Sequence, residues 1–498
     1  MHGNKEKRKK HIFPKNTGHV ILMMICMLVC TAFLSTVLLI DSLPDMFVLG
    51  LMCAVVLAMI LIFVLLNSRR EKTAKRKIGS VLAVMMILAM GIGSYYMYST
   101  YSMFNTITTT SNQTEDFHVI VLEDGSYNTV DDIKGGVLTV VKSDNERYKE
   151  AKGMLMSETG VTYEDVIGHV EVGHKLVDEK GRTHDDIIFV SNTNYEMICE
   201  EINRFDRKTE IIHTVSIEIE TGDFAKRVDV TKDPFNVYIS GIDTSGTIST
   251  VSRSDVNMIM TINPATKQIL LTSIPRDTYI PLHSFGIEDK LTHSGIYGIQ
   301  ETTATVEDWL GIDINYYLRV NFTTLVDVVD AIGGVDVESA YPFKASVYSY
   351  VEGTNHLNGE EALAFARERK SLPGGDNERI KNQQRVLTGI INKMTSSTVV
   401  LTKYTQLLEA LGDKMQTSLT NDDISAIVKA QLEDMGRWEI ISNSVEGTGA
   451  MAETYSMWGR KLSVVIPDEE SVKNAQRQIS QTMYPATETE PSAESTEE

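Results

Sequence analysis

Three uncharged apolar runs near the N-terminus constrain this chain more than any other feature. They span residues 20–40, 46–66 and 79–98, and each is 20 or 21 residues long. At about 1.5 Å per residue, a helix of that length crosses the roughly 30 Å hydrocarbon core of a bilayer. A cleaved signal peptide fits poorly, because the first run is too long and a second run follows almost at once. The sequence therefore predicts three transmembrane helices within residues 20–98.

Basic residues predict the orientation of these helices. Six Lys or Arg residues precede the first run and six lie in residues 69–77, whereas the turn 41–45 has none. Because Lys and Arg collect on the cytoplasmic side, residues 1–19 are expected to form a cytoplasmic basic segment. Everything after the third run is then outside the cell. Tyr95, Tyr96, Tyr98 and Tyr101 fit an aromatic belt at the outer membrane surface.

Charge and cysteine content exclude several classes of protein. The chain of 498 residues has a net charge of −20, but residues 1–78 alone carry +8. The acidic remainder argues against a general nucleic-acid partner. Four cysteines cannot form a disulfide framework, and only Cys199 lies beyond the membrane region. Without a second cysteine or a histidine pair beside it, Cys199 also gives no zinc site.

Changes in composition divide the rest of the chain. Residues 99–116 are rich in Thr, Ser and Asn and read as a linker. Residues 117–230 alternate strand and helix signals and predict a small α/β accessory domain. A larger domain is expected over residues 233–484. The acidic tail 485–498 is expected to be disordered.

The larger domain also reads as α/β. Residues 235–239 and 256–262 are apolar strand segments. Residues 268–274 follow as the second arm of a hairpin or as a neighbouring strand. Residues 322–332 carry apolar side chains at helical spacing and end at Gly333-Gly334. The predicted fold is a mixed central sheet flanked by helices.

Arginines collect at a few places in this otherwise acidic domain. Strand ends and helix starts are where α/β folds place ligand sites. The stretches are Arg253-Ser254-Asp255, Pro275-Arg276-Asp277, Arg367-Glu368-Arg369, and Arg379 with Gln383 one helical turn later. Converging arginines suit phosphate, because their planar forks stay charged when water is removed. Asp243 and Asp255 add carboxylates of the kind that hold Mg²⁺ beside phosphate oxygens.

Each of these residues also has an ordinary surface interpretation. Arg253 and Asp255 could form an exposed ion pair. Arg367 and Arg369 are two residues apart and do not share a face of a regular helix. They converge only if the helix ends there and the chain opens out, as the Pro373-Gly374-Gly375 loop allows.

Taken in order, the motifs resemble the LytR–CpsA–Psr (LCP) family. The motifs are Gly241-Ile242-Asp243, Arg253-Ser254-Asp255, Ser273-Ile274-Pro275-Arg276-Asp277, Lys290-Leu291-Thr292-His293, Leu357-Asn358-Gly359, Ala366-Arg367-Glu368-Arg369 and Asp376-Asn377-Glu378-Arg379. The resemblance is dense over residues 233–400 and weaker to residue 478. Three spans followed by an accessory domain resemble the capsule-associated CpsA branch.

The resemblance implies an extracytoplasmic phosphotransferase of a Gram-positive bacterium. Such an enzyme moves a glycopolymer, here capsular polysaccharide, from a polyprenyl diphosphate carrier to peptidoglycan. Membrane lipid and capsule-assembly membrane proteins are further implied partners. The implied diphosphate ligands are Arg253, Arg276, Lys290, Arg367, Arg369, Arg379 and Gln383. Asp243 and Asp255 would hold Mg²⁺ or Mn²⁺, and Arg253 either touches phosphate or orders these aspartates.

The implied catalytic residues are Arg276, Arg367, Arg369 and Asp376. Asp376 is the candidate general base, because it precedes Arg379 by three residues in a glycine-rich loop; Asp277 is the alternative. One departure concerns the position before Gln383-Gln384, where many family members carry a basic residue and this chain has Asn382. Lys381 beside it is basic.

Two other functions use the same residues. One is a hydrolase that cleaves the polyprenyl diphosphate with water as the acceptor. The other is a membrane protein that senses a lipid-linked intermediate. The first 15 residues are too short for a DNA-binding domain, which disfavours the sensor. A Ser-His-Asp hydrolase is disfavoured because no Gly-x-Ser-x-Gly motif surrounds Ser245 and nothing marks His293 as its base.

Overall fold

Three long apolar helices come first in the chain. A computed structural model describes residues 17–40, 43–68, 73–109, 112–143, 145–220, 222–242, 248, 250–395, 399, 403–411, 414–457 and 461–485. Helices α1 (Thr17–Ile40), α2 (Asp45–Leu66) and α3 (Thr73–Thr109) cover the predicted spans. All three are long and apolar enough to cross a membrane. Cys26, Val55, Ile62 and Ala83 pack at their common interface, whereas side chains such as Leu39 point outward.

The predicted linker at residues 99–116 differs in the structure. Helix α3 continues to Thr109, and strand β1 (Asn112–Leu122) begins three residues later. The high content of Thr, Ser and Asn suggested a loop. The pairing of β1 with strand β5 (Thr209–Glu220) overrides that local preference. The acidic tail after residue 485 lies outside the described residues.

The described residues form two compact units. One combines the membrane helices with helix α13 (Asn421–Asp434), and the other holds the described residues of 107–419 and 437–485. The sequence prediction had included α13 in the domain at 233–484. Thr420 caps this helix and Asp423 completes a capping box, so its start is specified locally.

The second unit begins with a five-stranded sheet. Its strands are β1, β2 (Val137–Val141), β3 (Thr162–Val166), β4 (Ile188–Ser191) and β5 (Thr209–Glu220), in the order β3-β2-β4-β1-β5. Helices α4 (Glu146–Thr159), α5 (His169–Gly173) and α6 (Asn192–Glu201) connect them. The core stacks the rings of Phe117 and Tyr148 with centroids 5.3 Å apart. Helix α6 ends at Glu201, because Ile202 is extended.

A six-stranded mixed sheet follows in the same unit. Its order is β16-β11-β6-β7-β8-β17, formed by β6 (Phe235–Ile242), β7 (Val256–Asn263), β8 (Gln268–Ile274), β11 (Tyr316–Asn321), β16 (Met415–Thr417) and β17 (Glu439–Ser444). Strands β6, β7 and β8 are antiparallel neighbours, whereas β11 and β17 add in parallel. The predicted hairpin is confirmed, with the Asn263 side chain accepting hydrogen bonds from the turn amides of Ala265 and Thr266.

Short strand pairs and helices surround this sheet. The pairs are β9 (Tyr279–Pro281) with β10 (Glu288–Lys290), β12 (Val335–Ser339) with β15 (Gly353–Leu357), β13 (Phe343–Ala345) with β14 (Tyr348–Tyr350), and β18 (Gly447–Glu453) with β19 (Lys461–Pro467). The helices are α7 (Leu291–Ser294), α8 (Ile299–Leu310), α9 (Phe322–Ala331), α10 (Gly359–Arg367), α11 (Asp376–Thr395), α12 (Tyr404–Leu411) and α14 (Glu469–Met483). The predicted mixed α/β fold is therefore confirmed.

Helix α10 starts and ends where its sequence directs. Asn358 accepts a hydrogen bond from the Glu361 amide while Glu361 reaches back to the Asn358 amide, which forms a capping box. At the other end Glu368 is extended, so the helix stops at Arg367. Phe365 anchors the helix, since its buried ring lies 5.1 Å from those of both Phe343 and Tyr350.

We expect Phe365→Ala to destabilise the second unit by about 3–5 kcal/mol, because it removes a fully buried ring from a packed core. The measurement is the thermal unfolding midpoint of the full chain in detergent, which should fall by several degrees. Val347→Ala is the control, since Val347 is 84% exposed. Equal midpoints for the two variants would contradict this account of α10.

Candidate active site

A cleft rich in arginine lies beside the six-stranded sheet. Its volume is about 420 Å³. It is lined by Asp255, Val256, Arg276, Phe322, Arg367, Glu368, Arg369, Lys370, Arg379 and Gln383. Five of these side chains are cations and two are carboxylates, so the cleft attracts anions.

The end of helix α10 supplies three of the cations. Because the helix stops at Arg367 and Glu368 is extended, Arg367, Arg369 and Lys370 all line the same cleft. Arg367 is oriented by an aromatic face, with its guanidinium carbon 4.6 Å from the centre of the Phe322 ring. Arg367 and Arg369 therefore line one cleft, because the helix ends at Arg367 and the chain opens out after it.

Helix α11 supplies Arg379 and Gln383 from one face. Arg379 Nη2 lies 2.5 Å from Asp376 Oδ1, at the first turn of the helix. Burial lowers the pKa of Arg379; the charge of Asp376 opposes this shift, and Arg276 and Arg369 add to it. Its Nε atom is buried and has no hydrogen-bond partner among the described residues. An anionic ligand would satisfy that donor and relieve the repulsion between the arginines.

Arg276 connects the cleft to two carboxylates. Its Nη1 donates to Asp255 Oδ1 at 2.8 Å, and its Nε lies 3.9 Å from Asp277 Oδ2. Thr292 Oγ1 donates to the same Asp255 oxygen at 3.4 Å. Lys290 Nζ lies 3.1 Å from Asp277 Oδ1, so Asp277 bridges two cations. This network fixes Arg276 at the end of strand β8.

A buried triad of side chains supports the segment that carries Lys290. His293 Nδ1 lies 2.6 Å from Asp289 Oδ1, while the Ser456 amide donates to Asp289 Oδ2 at 2.8 Å. Burial alone would raise the pKa of Asp289, but hydrogen bonds from His293 and Ser456 outweigh it and lower the pKa. The carboxylate lies between Ser456 and His293, whereas a serine hydrolase needs the imidazole in that position.

Arg253 contacts a carboxylate of the five-stranded-sheet region. Its Nε donates to Glu196 Oε2 at 3.2 Å, and Glu196 belongs to helix α6 of the five-stranded sheet. Arg253 is not among the described residues that line the cleft. It precedes Asp255, which does line the cleft, by two residues.

Residues 192–478 match the LytR_cpsA_psr family model. The match covers more than half of the chain. The chain belongs to the LytR–CpsA–Psr family.

Relatives with curated names include TagU proteins. The protein named polyisoprenyl-teichoic acid–peptidoglycan teichoic acid transferase TagU from Bacillus licheniformis is 38% identical over 218 residues, which is 44% of this chain and 70% of that protein. TagU from Enterococcus faecalis is 36% identical over 228 residues, or 45% of this chain and 74% of that protein. A crystal structure of B. subtilis TagU is 32% identical, with a TM-score of 0.41, and covers 52% of this chain and 100% of that one.

The LCP motifs of this chain fall into two groups in space. Asp255, Arg276, Arg367, Arg369, Arg379 and Gln383 line the cleft. Arg253, Lys290 and Asp376 are predicted site residues that are not among the described lining residues; each contacts a carboxylate or cation next to the cleft. Asp243 lies outside the described residues.

Several lining residues had not been predicted. Lys370 extends the Arg367–Arg369 stretch, and its position directly after that motif was a usable signal. Phe322 begins α9 immediately after strand β11, which is a ligand-facing position in α/β folds.

Glu196, which contacts Arg253, was also not predicted. The sequence gave no signal for it beyond its helical spacing with Asn192, because its contact with Arg253 joins residues 57 positions apart.

The carboxylates present are compatible with a divalent cation. No group of three or more His, Cys, Asp or Glu side chains suited to a metal occurs in the described part of the chain. Mg²⁺ does not need one, because it commonly takes one or two carboxylates and completes its shell with phosphate oxygens and water. Asp255 meets this requirement, since its partly buried carboxylate lines the cleft beside Arg276.

Gly295 keeps the backbone on either side of Arg253 in place. A Cβ atom at this position would lie 2.6 Å from Ser252 O and 2.8 Å from Ser254 N. Both are backbone atoms, so they cannot move aside by a side-chain rotation. The close approach requires glycine.

We expect Gly295→Ala to destabilise the full chain by about 1–3 kcal/mol, the usual cost of overpacking. Thermal unfolding is the measurement. Gly153→Ala is the matched control, because helix α4 has open space there and alanine favours a helix. A midpoint for Gly295→Ala equal to that of the control would show that the backbone near Arg253 is not constrained in this way.

Proposed function

We propose that this chain is a membrane-anchored phosphotransferase that moves a glycopolymer from a polyprenyl diphosphate carrier to peptidoglycan. The observation that carries the proposal is the cleft, in which five cations surround space for an anionic group next to Asp255. A diphosphate needs several planar donors, and Arg276, Arg367, Arg369 and Arg379 are placed to provide them. The names of the TagU relatives, which describe transfer of a polyisoprenyl-linked polymer to peptidoglycan, support the proposal.

The membrane orientation is part of this proposal. Basic residues before α1 and between α2 and α3 favour a cytoplasmic N-terminus, so an odd number of spans puts the cleft outside. Polyprenyl carriers and peptidoglycan meet at the outer face of the cytoplasmic membrane. The chain would therefore act where its donor and acceptor are both present.

Capsular polysaccharide is the proposed polymer. Three spans followed by a separate α/β region resemble the capsule-associated branch of the family, and the TagU relatives align with only about 44% of this chain. Those relatives are named for teichoic acid. Presenting both polymers as lipid-linked donors to the same preparation would separate the two assignments.

In the proposed reaction, an acceptor hydroxyl attacks the phosphorus bonded to the glycopolymer. The new P–O bond joins polymer to peptidoglycan, the P–O bond to the carrier phosphate breaks, and polyprenyl phosphate leaves. Arg276, Arg367, Arg369 and Arg379 stabilise the negative charge on the phosphoryl oxygens. Mg²⁺ or Mn²⁺, when bound, would neutralise further diphosphate charge. Asp255, together with Asp243, would hold this ion.

The proton of the acceptor hydroxyl needs a carboxylate, and Asp376 is the proposed base. Its Oδ1 lies 2.5 Å from Nη2 of Arg379, which lines the cleft, so the carboxylate is held close to the cleft. Asp277 is less available, because it already contacts both Arg276 and Lys290.

We expect Arg276→Ala to reduce transfer by roughly 100-fold or more, as for the loss of one charge-stabilising donor. The assay combines the full chain in detergent with a lipid-linked saccharide, Mg²⁺ and a peptidoglycan fragment, and mass spectrometry detects the phosphodiester product. Arg182→Ala is the control, since Arg182 is an exposed arginine paired with Asp178 in the five-stranded-sheet region.

Three results of this assay separate the functions. A linked product that is lost in Arg276→Ala supports transfer. Release of free sugar phosphate with no linked product supports the hydrolase. Tight donor binding without turnover supports the sensor and contradicts the proposed enzyme.

We expect Asp376→Asn to slow transfer at least tenfold and to abolish the fall in rate at low pH, because an amide cannot accept the proton. In the unaltered chain the rate should fall as pH decreases and the carboxylate becomes protonated. The measurement is transfer rate against pH, with Asp277→Asn compared in parallel. An unchanged rate and pH profile in Asp376→Asn would remove this residue from the role.

A further inference from the structure

The segment that leads to Arg253 is held at three points by the five-stranded-sheet region. The Val251 amide donates to Thr114 O at 2.7 Å, and Thr250 Oγ1 donates to Asp116 Oδ2 at 3.0 Å. Arg253 Nε then donates to Glu196 Oε2 at 3.2 Å. Strand β1 and helix α6 therefore reach the chain immediately before the cleft residue Asp255.

Glu196 is itself held firmly. Asn192 lies one helical turn earlier, and its Nδ2 donates to Glu196 Oε1 at 3.1 Å. His118 Nε2 lies 3.2 Å from Asn192 Oδ1, and His118 Nδ1 lies 3.0 Å from Thr214 Oγ1. Since Asn192 donates through nitrogen, its oxygen accepts from His118. Both oxygens of Glu196 are thus engaged, one by the five-stranded-sheet region and one by Arg253.

The pair is largely shielded from water. The side chains of Arg253 and Glu196 are 13% and 18% exposed. Burial raises the pKa of Glu196, Arg253 opposes that shift, and the charge of Asp255 adds to it. The charge of Asp255 therefore reaches Glu196, and Arg253, which precedes Asp255 by two residues, contacts the Glu196 carboxylate. Removal of one member of such a pair leaves a poorly compensated charge.

Arg319 adds a second cation behind the same segment. It is almost fully buried on strand β11, and its Nη2 donates to Thr250 O at 2.8 Å. Burial lowers the pKa of Arg319 to about 10, and the charge of Glu196 opposes this shift. Glu196 thus balances positive charge on both sides of residues 250–253.

From these contacts we infer that Glu196 is a positioning residue, which acts through Arg253 to set the Asp255 end of the cleft. The inference rests on the proposed function, because it assigns the five-stranded-sheet region a part in diphosphate binding. Loss of Glu196 would remove the carboxylate that accepts a hydrogen bond from Arg253 Nε, and the guanidinium would then shift toward Asp255, two residues away. There it would compete with Arg276 and with a divalent cation for the carboxylate.

The sign of one binding measurement tests this inference. Removal of a negative charge near an anion site should tighten anion binding if only long-range electrostatics matter. Loss of positioning should weaken it. We expect Glu196→Gln to weaken binding of inorganic diphosphate in the presence of Mg²⁺ by roughly tenfold or more, as for other outer-shell partners. Calorimetry on the full chain in detergent is the measurement.

Asp116→Asn is the matched control. Asp116 is also a carboxylate of the five-stranded-sheet region that contacts the segment, but it binds Thr250 and not an arginine. It should leave the affinity for diphosphate within about twofold of the unaltered chain, well short of the roughly tenfold loss expected for Glu196→Gln. Equal losses in both variants would assign the effect to general loosening of the contact and would contradict the inference.

A double-mutant cycle tests the route through Arg253. In an Arg253→Gln background, Glu196→Gln should cause no further loss, because the residue that it positions is already absent. Additive losses would overturn the inference. Glu196→Asp provides a second variant if Glu196→Gln folds poorly: it keeps the charge but shortens the reach, and we expect an intermediate loss. Unchanged affinity in Glu196→Asp would also count against positioning.

Failure of the proposed function and failure of the positioning role of Glu196 give different results in these experiments. If diphosphate binds and responds to Glu196→Gln but no polymer is transferred, the positioning role holds and the transferase proposal fails. If transfer proceeds and Glu196→Gln neither weakens binding nor slows it, the inference alone fails. If the unaltered chain does not bind diphosphate with Mg²⁺, the inference is overturned, because there is no anion site to position.

Discussion

Repulsion between guanidinium groups in a small cleft is the constraint around which the second unit is organised. Arg276, Arg369 and Arg379 are close enough for the first two to lower the pKa of the third. Without a ligand, such side chains tend to turn toward water and lose their common orientation. Each one therefore needs a rigid attachment point, and Arg276 and Arg379 also have a local carboxylate.

The partners differ in kind, which allows the cleft to keep its positive charge. Arg276 contacts Asp255, and Arg379 contacts Asp376, so both have a carboxylate within an ion-pair distance. Arg367 instead stacks on Phe322, which orients it without neutralising it. If every arginine had its own carboxylate, the cleft would have little excess charge to attract a phosphate. The mixture of aromatic and acidic partners preserves the attraction and limits the disorder.

Local signals in the sequence were sufficient for the elements that carry the motifs. The capping box at Asn358 and the hairpin turn at Asn263 depend on residues two or three positions apart, and the turn is found as predicted. The break after Arg367 was predicted from the loop that follows it. Three apolar runs predicted three helices for the same reason, since length and composition decide whether a helix can span a membrane.

Contacts between distant segments were not predictable. Glu196 and Arg253 are 57 residues apart, and neither the helix that carries one nor the motif that carries the other indicates the pairing. Helix α3 extends to Thr109, and β1 starts early because its pairing with β5 overrides a linker-like composition. The motif of Arg253 predicted a contact with a ligand or with the aspartates. Its contact with Glu196 is seen only in the folded chain, where the two sheets lie together.

The contact between helix α6 and Arg253 has a consequence for how such chains can diversify. The family match begins at residue 192, inside the five-stranded-sheet region and at the first residue of α6. Recombination at a boundary near residue 230 would separate Arg253 from its carboxylate, whereas a crossover before residue 192 would keep the pair but lose His118 behind it. The two sheets are therefore expected to be inherited together. Exchange of the five-stranded sheet between relatives would succeed only when the incoming sheet has an acidic residue at the position of Glu196.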